Sequence, residues 1–176
     1  ENINAAYVNY NRPLGKKWTA QLGLRVENTN SNGISKGYEF NKVINRFEYT
    51  EKKIRRSYTQ LFPTVYLQYT ANQKNQFVIN YGRRIERPDY EDMNPFVHFL
   101  DTYTYEQGNR TLSPQFAHNI ELSHTYKGFL TSTVNYTATT DIIQMVLEQN
   151  NLTNETFVKK ANIASSQQIG LAVSAN

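Results

Sequence analysis

Between residues 18 and 28 the side chains alternate without a break. Trp18, Ala20, Leu22, Leu24 and Val26 take one parity, and Thr19, Gln21, Gly23, Arg25 and Glu27 take the other. Successive side chains of an extended strand point to opposite faces. The stretch therefore makes a ribbon with one greasy face and one polar or charged face. No convincing helical period competes with this pattern anywhere in the chain.

The pattern recurs with varying clarity. Ala6, Val8 and Tyr10 form the apolar face of a first strand, and Leu61, Pro63, Val65, Leu67 and Tyr69 that of a third. Phe77, Ile79 and Tyr81 begin a fourth, Ile120, Leu122 and Tyr126 mark a fifth, and Val134, Tyr136 and Ala138 a sixth. Residues 156–176 supply at least one more, with Ile169, Leu171 and Val173 on one face. The expectation is an all-β protein of about seven antiparallel strands.

Connections alternate as well. Short polar turns fall near 13–17, 71–75 and 127–128, and long polar segments near 29–56, 88–115 and 148–155. Aromatic residues crowd the short turns: Tyr10 and Trp18 around the first, Tyr69 and Phe77 around the second, Tyr126 and Phe129 around the third. Tyr, Trp and Phe settle at a bilayer–water boundary, and up-and-down barrels of an outer membrane have short periplasmic turns and longer extracellular loops. This arrangement predicts a transmembrane β-barrel domain over 1–176, with the short turns periplasmic and the long segments extracellular. Loops that long inside a compact domain are uncommon unless functional.

Composition alone divides evenly between two classes. Hydrophobic residues make up 39% of the chain and mean hydropathy is -0.67, yet aromatics reach 13%. That balance suits a barrel with a wet interior and apolar residues on half of each strand. It equally suits a polar, Tyr-rich secreted sandwich. The absence of cysteine removes disulfides, thiol nucleophiles and thiolate metal sites. The net charge of +4 is modest and its one small basic run, Lys52 to Arg56, reads as a solvated loop; nucleic-acid binding needs a concentrated basic face. No apolar stretch approaches the roughly 20 residues of a membrane helix, which does not exclude barrel strands.

Three features strain the barrel. Pro63 removes a ladder donor and requires a bulge or a local break in pairing. Arg83 falls on the nominal lipid face, where a charge near mid-bilayer costs about 2–4 kcal/mol; a bulge at Gly82 that flips the parity, or a height that lets the side chain snorkel, would relieve it. His118 and His124 share a face with Ile120 and Leu122 and are read as interfacial. Bacterial single-chain barrels have an even number of strands, and this chain starts and stops inside apparent strands. The expectation is therefore a portion of a larger barrel, without a plug domain, whose open edges require the remaining strands.

Catalytic and metal patterns are missing. His98, His118 and His124 have no metal-ligand spacing, and Glu51, Glu91 and Asp92 read as solvated loop charge. There is no Gly-x-Ser-x-Gly elbow and no Gly-rich phosphate loop. The reading is a non-enzyme with no cofactor and no metal site. Arg25, Glu27, Arg84, Glu86 and Glu121 are expected to face the lumen, as cross-strand polar ladders or as contacts to a plug or a passing solute.

The segment from Tyr81 through Gly82-Arg83-Arg84-Ile85-Glu86-Arg87-Pro88 to Asp89-Tyr90, followed by Met93-Asn94-Pro95-Phe96, resembles a signature of TonB-dependent outer-membrane receptors. The resemblance is to the branch called the outer membrane protein beta-barrel family. Asp101 to Tyr105, Gly108-Asn109, Leu112-Ser113-Pro114, Gly23 to Thr29 and Leu61-Phe62-Pro63 continue it. It implies location in the bacterial outer membrane and a 22-stranded barrel with an N-terminal plug that moves solutes with energy from TonB. This chain would form about a third of the strands. The implied partners are outer-membrane lipid, the rest of the barrel, the plug and the TonB system; a surface lipoprotein is a further candidate. The motif transfers no catalytic residue. The candidate solute contacts are the loop residues Tyr90, Asn94, Phe96, Tyr103, Tyr105 and Asn109, with packing inside the loop as their other reading. The alternative function is a soluble all-β module binding a ligand or carbohydrate through exposed tyrosines.

Overall fold

The computed structural model describes residues 1–41 and 44–175. Residues 42 and 43, inside the expected 29–56 loop, and Asn176, at the end of the last expected strand, lie outside the described residues. Seven long strands are present: β1 (Asn2–Leu14), β2 (Trp18–Asn41), β3 (Arg46–Asn72), β4 (Asn75–Glu86), β7 (Gln115–Tyr126), β8 (Leu130–Asn150) and β9 (Glu155–Ala175). Between β4 and β7 lie one helical turn, α1 (Tyr90–Met93), and two short strands, β5 (Val97–Phe99) and β6 (Thr104–Gln107). The described strands number nine rather than about seven, because the segment expected as loop 88–115 pairs with the sheet. All form one sheet in the order β1-β2-β3-β4-β7-β8-β9-β6-β5. Neighbours are antiparallel except β6 and β9, which run parallel.

Register turns the alternation into continuous rows. Tyr10, Leu22, Val65, Tyr81, Ile120, Tyr136 and Ile169 are successive cross-strand partners across the seven long strands. Two residues nearer the short turns, Ala20, Leu67, Ile79, Leu122, Val134 and Leu171 form a second apolar row. Next come Trp18, Tyr69, Phe77 and His124. Their rings stack in sequence, with centroids 4.4, 6.5 and 4.5 Å apart. The opposite face reads Asn11, Gln21, Tyr66, Asn80, Glu121, Asn135 and Gly170 across the same strands. From Trp18 to Val26 the apolar face covers roughly 25–30 Å of strand at ~3.3 Å per residue, the length that a membrane-crossing strand needs.

Two strands run on past the apolar rows. β2 and β3 remain paired up to Asn41 and Arg46. Residues 29–56, expected as a loop, are therefore mostly a paired ribbon reaching roughly 50 Å along the strand beyond Val26 at ~3.3 Å per residue. Likewise the 148–155 loop contracts to a turn at residues 151–154, with Asn154 at φ 56. Sequence polarity on both faces suggested loop, but the backbone ladder persists because the inward face of the ribbon is covered. Ser35 and Ile54 are buried there beneath the segment that joins β4 to β7.

Pro63 and Arg83 explain each other. β3–β4 pairing ends at Thr64 and Gly82, while β2–β3 and β4–β7 continue. The Leu61 carbonyl accepts a hydrogen bond from Arg83 Nη1 at 2.8 Å, so it faces β4. Pro63, two residues on, turns its nitrogen the same way and has no hydrogen to give. The ladder breaks at this proline, as one of the two expected outcomes. Arg83 fills the opening: its guanidinium lies 4.3 Å from the Phe116 ring centre and 5.7 Å from that of Phe62. A charge at a nominally lipid-facing position is thus held in a seam of the wall.

Candidate functional site at the long-loop end

The only buried apolar cluster among the described residues, Ile54, Met93 and Leu112 with Ile143 beside it, pins the β4–β7 segment to the inner side of the sheet. Polar contacts tie the same segment on both flanks. Toward the β2–β3 ribbon, Arg87 Nη2 donates to Glu27 Oε2 at 2.7 Å, and Tyr90 and Ser35 share a hydroxyl hydrogen bond of 2.9 Å. Arg56 donates to the Arg110 carbonyl and Arg110 to the Lys53 carbonyl. Toward β9, Lys160 pairs with Asp92 at 2.8 Å, Asn109 Nδ2 donates to the Lys160 carbonyl, and Asn162 exchanges two hydrogen bonds with the Ser113 backbone. Burial works against the Arg87 charge, but hydrogen bonds to Glu27 and Tyr58 outweigh it and raise its pKa. The bond to Asp92 likewise raises that of Lys160.

This strap shapes a cavity of about 660 Å³ between the two projecting ribbons. Tyr38 and Phe47 come from the β2–β3 ribbon, Phe157 from β9, and Phe96, Phe99 and Tyr105 from the strap. Gly37 is part of the wall because a side chain there would lie 3.0 Å from the Phe96 ring. Lys52 Nζ approaches Phe96 at 5.6 Å from the ring centre. Tyr105 stands edge-on to Phe99 at 5.1 Å and stacks on Phe157 at 5.4 Å. Asn94, His98 and Glu155 add hydrogen-bonding groups. Asn94 and His98 also line an adjoining cavity of about 420 Å³, with Glu91, Asp92, Glu106 and Lys160.

The six candidate contacts divide evenly. Asn94, Phe96 and Tyr105 line the aromatic cavity. Tyr90, Tyr103 and Asn109 are engaged in holding the strap: Tyr90 on Ser35, Tyr103 through its carbonyl to Thr156 N at 2.7 Å, Asn109 on Lys160 and Thr111. Phe157 was not singled out from the sequence, since it sits in a strand whose alternation gives no hint of the strap beside it. Asp101 caps the β5–β6 turn; the Tyr103 backbone N–H, together with Thr104, holds its carboxyl below the usual aspartate range.

The five lumen candidates lie on the inner face. Arg25 pairs with Glu27 at 3.3 Å, Gln115 donates to Glu86 at 2.6 Å, Asn80 donates to Glu121 at 3.2 Å, and Arg84 is exposed. No cluster of three or more potential metal ligands occurs among the described residues.

The family model for the outer membrane protein beta-barrel family matches residues 1–176. The chain belongs to that family. As one of its members it lies in the bacterial outer membrane, and the soluble-module alternative is set aside: Leu22 and Leu24 are 44% and 39% exposed on the lipid-facing rows instead of closing a core. No curated protein matches this family member. Among solved structures it resembles the hemophore receptor HasR of Serratia marcescens, in complex with its hemophore HasA and heme (TM-score 0.68, 14% identity, 96% of this chain and 30% of that one). It also resembles the copper transporter OprC (0.62, 13%, 98% and 26%) and the siderophore receptor PirA of Acinetobacter baumannii (0.57, 15%, 97% and 25%). The chain thus spans less than a third of each of these proteins. The β-barrel fold expected from the Tyr81–Phe96 motif is met in the family match and in the likeness to these receptor barrels.

Proposed function

We propose that this chain is part of the wall and mouth of an outer-membrane receptor that takes up a solute with a planar aromatic group. The short turns then face the periplasm and the projecting ribbons face outside. Further strands complete the barrel, a plug occupies the lumen, and TonB supplies energy through that plug. The aromatic cavity carries the reading. Phe96, Phe99, Tyr105 and Phe157 border a solvent-accessible space at the long-loop end, Tyr105 in ring contact with Phe99 and Phe157, and Tyr38 and Phe47 from the outward rows of the ribbon stand at its edge; an apolar patch there would otherwise stay wetted at a cost. Ring faces suit stacking, and Asn94, His98 and Glu155 suit orientation of polar edges. Of the similar proteins, one is in complex with a hemophore and heme, one is a siderophore receptor and one a copper transporter; flat aromatic cargo fits this ring-lined space better than a bare metal ion would.

The test uses the intact receptor that contains this chain, with heme and a ferric catecholate as probes. Phe96→Ala, Tyr105→Ala and Phe157→Ala should each weaken binding about five- to tenfold, as lost stacking of ~1–1.5 kcal/mol implies. Tyr103→Ala should bind as the parent does. Failure of both probes to bind the parent, or equal binding by all the variants, would overturn the aromatic-cargo reading.

A further inference from the structure

The backbone of Gly37 does not call for glycine. The residue lies inside β2, opposite Thr50, and the described glycines with a left-handed φ are Gly15 and Gly128. Glycine within a strand weakens it and often marks the close approach of another group. Here that group is the tip of the Phe96 ring. A Cβ at residue 37 would meet Phe96 Cζ at 3.0 Å, Cε1 at 3.2 Å and Cε2 at 3.4 Å, all tighter than the carbon–carbon optimum of about 3.5–4.0 Å. The strap has no room to back away. Gly108 N donates to the Asn94 carbonyl at 2.9 Å, and a side chain at 108 would overlap the Asn94 backbone. Gln107 Nε2 donates to the Pro95 carbonyl at 3.0 Å, and Lys52 Nζ stands over the Phe96 ring. The direction left open to the ring is the cavity that it lines with Tyr105 and Phe157. Four residues nearer the membrane on the same face, Gly33 lies beneath Tyr90, whose Cε2 would stand 3.4 Å from an added Cβ. Tyr90 is outside the aromatic lining, so Gly33 serves as an internal comparison.

We propose that Gly37 is the specificity-determining position of the mouth cavity: by seating Phe96 against bare backbone, it keeps the space wide enough for one extended planar ring system. Without a side chain at 37, this wall stands as far back as β2 allows. The cavity of about 660 Å³ lies within the range that encloses a drug-sized ligand. A broad rigid plane needs its facing walls apart along its whole width, because it touches both at once. Smaller rings touch the lining one at a time and tolerate a shifted wall. Any side chain at 37 would drive the Phe96 ring into the space, and the loss would fall first on the broad plane. Selection of this kind rests on the aromatic-cargo reading above, and adds to it the shape of cargo admitted and the residue that admits it.

The experiment measures binding to the intact receptor, with heme as the extended plane and a ferric catecholate as the carrier of single rings. The parent should bind heme. Gly37→Ala should weaken heme binding about fivefold and Gly37→Val about tenfold or more, as overfilling a packed apolar site does, while catecholate binding changes by less than about twofold. Gly33→Ala should bind both probes as the parent does. In a Phe96→Ala background Gly37→Val should cause no further loss, because the ring that it displaces is gone. A crystal structure of the Gly37→Val receptor should show the Phe96 ring moved toward Tyr105 and Phe157. Should the valine variant fail to assemble, Gly37→Ala and its own double variant with Phe96→Ala decide the matter. A parent that binds the catecholate but not heme, or an unchanged heme-to-catecholate ratio in the Gly37 variants, would overturn the role of Gly37 and leave aromatic cargo standing. A parent that binds neither probe would overturn the aromatic-cargo reading and this role with it.

Discussion

At the scale of single residues, position in the ladder outweighs residue type. Arg83 is a charge at the parity of Ile79 and Tyr81, and parity alone would place it in hydrocarbon. Its guanidinium instead satisfies the Leu61 carbonyl and lies against two rings, because Pro63 ends the pairing beside it. Arg83→Ala leaves that carbonyl unpaired at the edge of the apolar belt and should destabilise the barrel by about 1–3 kcal/mol, measured by urea unfolding of the intact receptor in micelles. Arg83→Lys keeps the charge but not the flat stacking surface and should recover only part of the loss. The sequence showed the two misfits separately. Their pairing across β3 and β4 depends on register.

At the scale of elements, the strap between β4 and β7 turns an apparent loop into an ordered wall of the mouth. Asn162 is central to it. Its Nδ2 donates to the Ser113 and Asp141 carbonyls and its Oδ1 accepts from Ser113 N. It does so where β8 and β9 change register between Thr139 and Ile143. Gln115 Oε1 accepts the Ile143 N–H at the same irregularity. Asn162→Ala should therefore loosen the strap locally. Trypsin cleavage after Arg110 should speed by about tenfold in the folded receptor, since local opening sets such rates, while the melting temperature of the barrel moves little. An unchanged cleavage rate would show that the strap is held elsewhere. Asn162 lay inside a strand-like run with nothing local to mark it. Its importance comes from a bulge in the neighbouring strand and a partner 49 residues away.

At the scale of the whole molecule, the two faces of one sheet decide where it can exist. Leu22 is in the middle apolar row, between Tyr10 and Val65, and Gln21 is in the polar row between Asn11 and Tyr66. Leu22→Arg places a charge against hydrocarbon at a cost of about 2–4 kcal/mol and should sharply reduce assembly of the receptor into membranes. Gln21→Arg, on the wet face, should assemble at close to the parent level. Equal yields of the two in a membrane-insertion assay would contradict the assignment of inside and outside.

The chain's own order of residues determined the strands, their faces and the aromatic row at the short turns. These follow from a period of two and from side-chain polarity, which are local quantities. It also determined that an outer-membrane receptor motif was present. The ribbon length, the two added strands and the cavity required the folded molecule. Polar residues at 29–56 are compatible with loop or ladder, and only cover from the strap, arriving from residues 87–114, selects the ladder. The same long-range contact selects Asn94, Phe96 and Tyr105 for the cavity and assigns Tyr90, Tyr103 and Asn109 to holding the strap in place. Side-chain chemistry in one segment cannot specify which distant segment will lie against it; that is set when sheet register and the buried Ile54–Met93–Leu112 contact bring them together.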